Sequence, residues 1–372
     1  MIRTGFAQLP LHYGHAPRWL YKRMVNLGRH ILDAILDDEG PQELLTRLAD
    51  PYWFQAFSCV LGYDWHSSGT TTVTCAVLKE ALHPQEHGLA VAGGKGKASR
   101  KTPEEIEKIG VAFAWPEETI RALKYASKMS AKVDNTAIQS GYPLYHHIVV
   151  MDERGRWTVI QQGLNGEDRT ARRYHWLSDH VHSFIVEPHD AIVCDVVKRR
   201  VLNMTAGESE GSRRASVDLV NDGPDRLRRR LLAPRPKGQR ALREWMDRQG
   251  GRGTASVDAL VMPRSINWTA LKTAYAWKPQ NYEELLGMRG VGPSTVRGLA
   301  LVAELVYGEK PSWNDPVRFS FCVGGKDGVP FPVDRAAYDE IIAVMGNAVE
   351  QAKLGKTERI NALKRLNGVF GT

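Results

Sequence analysis

The stretch "LYHHIVVMDERGRWTVIQQGL", residues 144–164, constrains the fold most. Two β-rich runs flank "DERGR", which reads as the turn of an antiparallel hairpin. Helix-like apolar spacing surrounds it, beginning with "RWLYKRMVNLGRHILDAIL" and "QELLTRLADPYWFQAFSCVLG". "DWHSSGTTTVTCAVLKEAL" runs from a polar turn into a helix, and Thr102-Pro103-Glu104-Glu105 reads as N-cap, first-position proline and acidic first turn. "HSFIVEPHDAIVCDVV" reads as further strand. These elements predict an α+β chain in three parts. Residues 1–200 form a mixed α/β domain with antiparallel hairpins and the chemistry. Residues 201–262 form an Arg-rich helical connector, with linkers at "APRPKGQ" and "RQGGRGTAS". Residues 263–372 form an all-helical domain.

Charge is concentrated rather than spread. Lys198 to Arg252 holds 15 Lys/Arg against 7 Asp/Glu, a surplus of +8 that equals the net charge of the whole chain. Such a block attracts polyanions, and the clustered Arg228, Arg229 and Arg230 are its centre. No run approaches the roughly 18 apolar residues of a membrane span, and the first 20 residues lack the apolar segment of a signal peptide. The four cysteines, Cys59, Cys75, Cys194 and Cys322, form no CxxC pair. A reducing, cytoplasmic location without membrane contact is expected.

"YEELLGMRGVGPSTVRGLALVAELVYG" reads as helix, Gly-Val-Gly turn, helix. Gly290 and Gly292 allow positive φ and close backbone approach. The following helix begins with bare N–H groups at the positive end of its dipole, with Ser294, Thr295 and Arg297 as side-chain donors. A DNA phosphate is the expected occupant. The segment resembles the helix-hairpin-helix motif, which grips nucleic-acid backbone without reading sequence. In base-excision glycosylases this hairpin is followed by a catalytic aspartate in a Val-Asp pair. Val333-Asp334 supplies that pair here. The lysine that bifunctional members carry after the turn is replaced by Ser294, and the intervening segment is long. An N-cap role for Asp334 is the competing assignment.

Polar clusters crowd the first 200 residues. Asp64 and His66 lie at a helix mouth, and Lys95 and Lys97 lie in "GGKGKASRK", which lacks the Walker A order. "KMSAKVDNTA" carries Lys132 and Asp134, and "VEPHD" carries Glu187 and His189. In a strand neighbours alternate, so one of His146/His147 and one of Gln161/Gln162 share a pocket. Carboxylates and imidazole of this kind suit a divalent metal, Mg²⁺ or Mn²⁺, that activates water beside a phosphodiester. The expected metal ligands are Asp64, Asp134, Glu187 and His189. Asp64, His66, Asp134 and Glu187 are expected at the metal or as general base, with Lys95, Lys97 and Lys132 on the scissile phosphate and Gln161 in support.

Several long segments carry a family resemblance: "RTGFAQLPLHYGHAPRWL", "GYDWHSSGTTTVTCAVLKEAL", "GGKGKASRKTPEEI", "KVDNTAIQSGYPLYHH", "WTVIQQGLN", "ARRYHWLS" and "RFSFCVGGKDGVPFPVDR". Over nearly its whole length the chain resembles the family filed as domain of unknown function 763, departing most at "LLAPRPKGQRALREWM". That label carries no mechanism, so the residues carry the functional expectation. They predict a metal-dependent, structure-selective DNA nuclease of repair or processing, acting near single/double-strand junctions. The alternatives are a glycosylase or lyase worked by Asp334, and a non-catalytic DNA-binding adaptor. A homodimer and a repair helicase or other repair factor are left open as partners.

Overall fold

Residues 148–151 are apolar without alternation, so this strand needs cover on both faces. The computed structural model provides it. It describes residues 18–62, 69–167, 169–194, 196–232, 263, 265–318 and scattered helical positions between 343 and 364. Seven strands are present among the described residues: β1 (Leu89–Lys95), β2 (Ile138–Gln139), β3 (Leu144–Asp152), β4 (Trp157–Asn165), β5 (Thr170–Leu177), β6 (Ala191–Val193) and β7 (Leu202–Asn203). Five form an antiparallel sheet in the order β1-β3-β4-β5-β6, and β2 pairs with β7. The β3–β4 hairpin turns at Asp152, whose side chain accepts the N–H groups of Arg154 and Arg156. The chain is α+β.

One face of the sheet is covered by α1 (Arg18–Asp38), α2 (Gly40–Ala49), α3 (Pro51–Leu61) and α4 (Gly69–Ala81). Ile148, Val150, Ile160 and Leu177 point into this layer. Helix α3 starts at Asp50, which accepts the Tyr52 and Trp53 N–H groups, and every one of its side chains is buried. The short α5 (Pro84–His87) leads into β1.

The other face is covered by α6 (Thr102–Ala112), α7 (Glu117–Lys132), α8 (Glu210–Asn221), α9 (Pro224–Leu232), α10 (Trp268–Trp277), α11 (Tyr282–Gly287) and α12 (Pro293–Val302). Val149, Met151, Val159, Tyr174 and Trp176 point into this layer. Its core is continuous from Ala92 to Ala303, so described residues on both sides of positions 200 and 262 share it. A π-helical turn, Val133–Ala137, ends α7 and leads into β2.

The strand expected across "HSFIVEPHDAIVCDVV" shrinks to the three residues of β6. Pro188 has no N–H for a ladder. The Glu187 and Asp190 N–H groups go to Thr205 and His175 carbonyls across irregular chain. The described part of the Arg-rich segment also differs from a solvated connector. Arg213 of α8 is buried and donates to the Met204 and Ala206 carbonyls. The linker candidates within 233–262 lie outside the described residues.

Arg172 of β5 makes two bonds to Asp315, at 2.9 and 2.8 Å, with both side chains buried. The guanidinium also stacks over Tyr142 at 4.6 Å. Asp315→Ala strands that charge without its carboxylate. The expected outcome is a loss of about 3–5 kcal/mol in urea unfolding; an unchanged midpoint would show that the pair does not hold residues 309–318 to the sheet.

Candidate functional site

Buried polar groups gather where the π-helical turn meets the sheet. Ser127 lies on α7, and its Oγ is 2.8 Å from His147 Nε2. His147 Nδ1 is 2.9 Å from Gln161 Oε1 on the neighbouring strand. Gln161 Nε2 donates to Asp134 Oδ2, which also accepts Trp176 Nε1–H, while His189 Nε2 bonds Asp134 Oδ1. The result is one chain: Ser127, His147, Gln161, Asp134, His189. Its hydrogens follow from the chemistry of the groups. Gln161 spends its amide N–H on Asp134, so its carbonyl oxygen accepts from His147 Nδ1–H. The other ring nitrogen of His147 is then an acceptor, and the Ser127 hydroxyl donates to it.

Burial shapes the charges along this chain. It holds the His147 imidazolium down to about 4, against the Gln161 hydrogen bond. The ring is therefore a neutral base at physiological pH. Burial also pushes the Asp134 carboxyl upward, and His189 and Trp176 oppose that push.

The Ser127–His147 end faces a groove of about 660 Å³. Three walls meet there. One is a stripe of α7 at helical spacing: Ser127, Lys128, Ala131 and Lys132. The second is Ser99 and Arg100, from the basic turn after β1. The third is the Gly290–Pro293 turn between α11 and α12. Arg100, Lys128 and Lys132 line the groove, and no aspartate or glutamate is among its described lining residues. His146 lines it too; both its ring nitrogens are buried without a hydrogen-bond partner among the described residues.

The turn is held in place from both sides. Lys132 Nζ donates to the Met288 and Val291 carbonyls at 3.1 and 2.5 Å, and burial lowers its pKa, with Lys128 adding to the effect. Gly290 has φ +86°, and a Cβ there would lie 2.9 Å from the Ala270 Cβ, so the fold demands glycine. Gly292 differs. Its backbone is extended, as any residue allows, and a Cβ would meet nothing within 4 Å. No side chain caps α12 at this residue.

Of the residues expected from sequence, Asp134, Gln161 and His189 come together in the relay. The strand alternation pairs His147 with Gln161 on one face and His146 with Gln162 on the other. Lys95 and Lys97 sit at the exposed end of β1 and the turn beyond it, with Lys95 Nζ 5.9 Å from the Tyr145 ring. Lys132 is a clamp on the turn. Arg297 turns away from the helix start, bonded to Gln139 and stacked over Trp313. Thr295 is buried and Ser294 exposed. Glu187 points toward Arg318, 3.9 Å away, beside a second cavity of about 350 Å³ that His189 also lines. Arg228 and Arg229 are exposed on α9; the Arg230 side chain lies outside the described residues, as do Asp64, His66 and Asp334. Among the described residues no three His, Cys, Asp or Glu side chains group around a common metal position, and no helix is long and apolar enough to cross a membrane.

Ser127 escapes a sequence reading because its partner comes from a strand 20 residues away. The only local signal is the cation-rich helix end "KYASKMSAK".

The fold and site define an α+β protein with a cation-lined groove over a buried Ser-His-Gln-Asp-His relay. The model of the family described as "Protein of unknown function (DUF763)" matches residues 5–333, and the chain belongs to that family. No curated protein and no solved structure matches it.

Three buried histidines set the acid limit of the fold. Burial lowers His146 to about 3 and His147 to about 4, and His175 well below its ordinary value of 6.5. Below pH 6.5 the unfolded chain takes up protons that the folded chain refuses. Stability therefore falls as pH drops from about 6.5 toward 4, by on the order of a few kcal/mol per histidine. Thermal melts at pH 7, 6, 5 and 4 measure this, and His147→Gln should flatten the decline.

Proposed function

We propose that this protein grips nucleic acid by its phosphate backbone in the α7–α12 groove and hydrolyses a phosphodiester bond there, near junctions between single and double strand. The observation that carries the reading is the groove lining: three cations, an uncapped helix N-terminus and no described carboxylate. Positive groove walls attract a polyanion, and backbone N–H groups at a helix start receive phosphate oxygens. The open space beside Gly292 supports the reading as well, because the fold does not require glycine there. Backbone contacts of this kind carry no sequence information, so selectivity falls to substrate shape. Arg228 and Arg229, exposed on α9, add positive charge to the surface outside the groove.

Cleavage of a labelled panel tests the activity: single strand, duplex, fork, flap and bubble, each with Mg²⁺, Mn²⁺ or EDTA. Cutting confined to substrates with a junction is expected. Binding without cutting on every substrate would make the protein an adaptor. Cutting only at uracil or abasic sites would move the chemistry to Asp334.

Gly292→Asp tests the grip. An aspartate at this N-cap position accepts the N–H groups that a phosphate would use. Melting temperature is expected to hold or rise slightly, while affinity for a fork falls at least tenfold. Unchanged affinity would remove the α12 start from the binding surface.

A further inference from the structure

We propose that Ser127 is a catalytic nucleophile that attacks the phosphorus of a phosphodiester, with His147 as its general base. The inference rests on the nucleic-acid reading for its substrate and on the relay for its chemistry.

Serine is a weak nucleophile unless a base takes its proton and a further group orients that base. Both conditions are met. Ser127 Oγ is 2.8 Å from His147 Nε2, within proton-transfer reach. The opposite ring nitrogen is anchored to Gln161, and Gln161 to Asp134. Gln161 and Asp134 are positioning residues: they fix the tautomer that leaves Nε2 able to accept. Ser127 lines the groove, so a ligand there meets its hydroxyl, with Lys128 beside it and the α12 N-terminus opposite. Both offset negative charge developing on phosphate oxygens. His147 is buried and neutral, as a base must be at neutral pH.

The step balances without a further reactant than water. Ser127 Oγ bonds to phosphorus as its proton passes to His147 Nε2. The P–O bond to the leaving nucleotide breaks, and that oxygen takes the proton from His147. Water then attacks the phosphoserine diester and gives a proton to His147. The P–Oγ bond breaks and Ser127 recovers its proton. His147 is neutral again at the end of each half.

The test uses the full chain and a fluorophosphonate probe, which bonds to activated serines, read by intact mass and peptide mapping. One adduct per chain is expected, mapped to Ser127 in the unsubstituted protein, so no variant is needed to place it. Ser127→Ala should give none. His147→Gln should slow labelling at least tenfold while the chain still melts cooperatively. Absence of an adduct at Ser127, or undiminished labelling in His147→Gln, overturns the inference. The junction-cutting assay separates the two readings. If Ser127→Ala still cuts forks normally, the nuclease stands and the serine step falls. If Ser127 labels but no nucleic acid is cut, the nucleophile stands and its phosphodiester substrate falls.

Discussion

The central sheet is antiparallel yet covered by helices on both faces, and the rest of the structure answers to that constraint. An antiparallel sheet commonly leaves one face to water, where polar side chains need no protein partner. Here His146, His147, Gln161, Gln162, Arg172, Arg173 and His175 all lie inside. An unmade hydrogen bond there costs about 1–3 kcal/mol. Alternation sends these groups into two networks back to back. On the α1–α4 side, Arg173 donates to His175, Gln55 and Thr71, and Thr71 also donates to Gln162. On the α7 side, the same need for partners builds the relay from Ser127 to His189. Among the described residues, Arg172 Nε and both ring nitrogens of His146 find no hydrogen-bond partner.

The groove needs a second part of the chain. Lys132 holds the Met288 and Val291 carbonyls, Gln139 donates to the Pro293 carbonyl, and Tyr125 donates to Glu283. All three anchors sit on α7 or just beyond it. The helix that carries Ser127 therefore also sets where the α12 start stands. Under the proposed function, one helix would bring a phosphate on that start and a hydroxyl on α7 together, the sort of fixed spacing that catalysis by positioning requires.

Much of this was legible in the sequence, wherever the signal was local. The hairpin at "DERGR" follows from two β-rich runs, and the separation of His146 from His147 follows from the period of two. The tight turn at Gly290 follows from its neighbours, since only glycine accepts that conformation and closeness. What was hidden depends on distant partners. Nothing near Lys132 says that its ammonium faces carbonyls 156 and 159 residues on. Nothing near Arg297 says that Gln139 will draw it from the helix start. Ser127 looks like any helical serine until β3 delivers an imidazole to it. The separation expected at residue 200 also met a core shared across it, because α8 and α10–α12 bury their apolar faces against the helices and sheet before it.

The clamp at Lys132 also bears on the order of assembly. Strands β3, β4 and β5 are neighbours in sequence as well as in space, joined by short turns, and such contacts close at little entropic cost. The Lys132–Val291 contact instead closes a loop of 159 residues, and loop closure grows more costly with length. The sheet and its buried histidines are thus poised to form early, and the groove late. The reverse path is expected on the same grounds: a chain losing stability opens the seam between α7 and α12, and the groove with it, before the sheet.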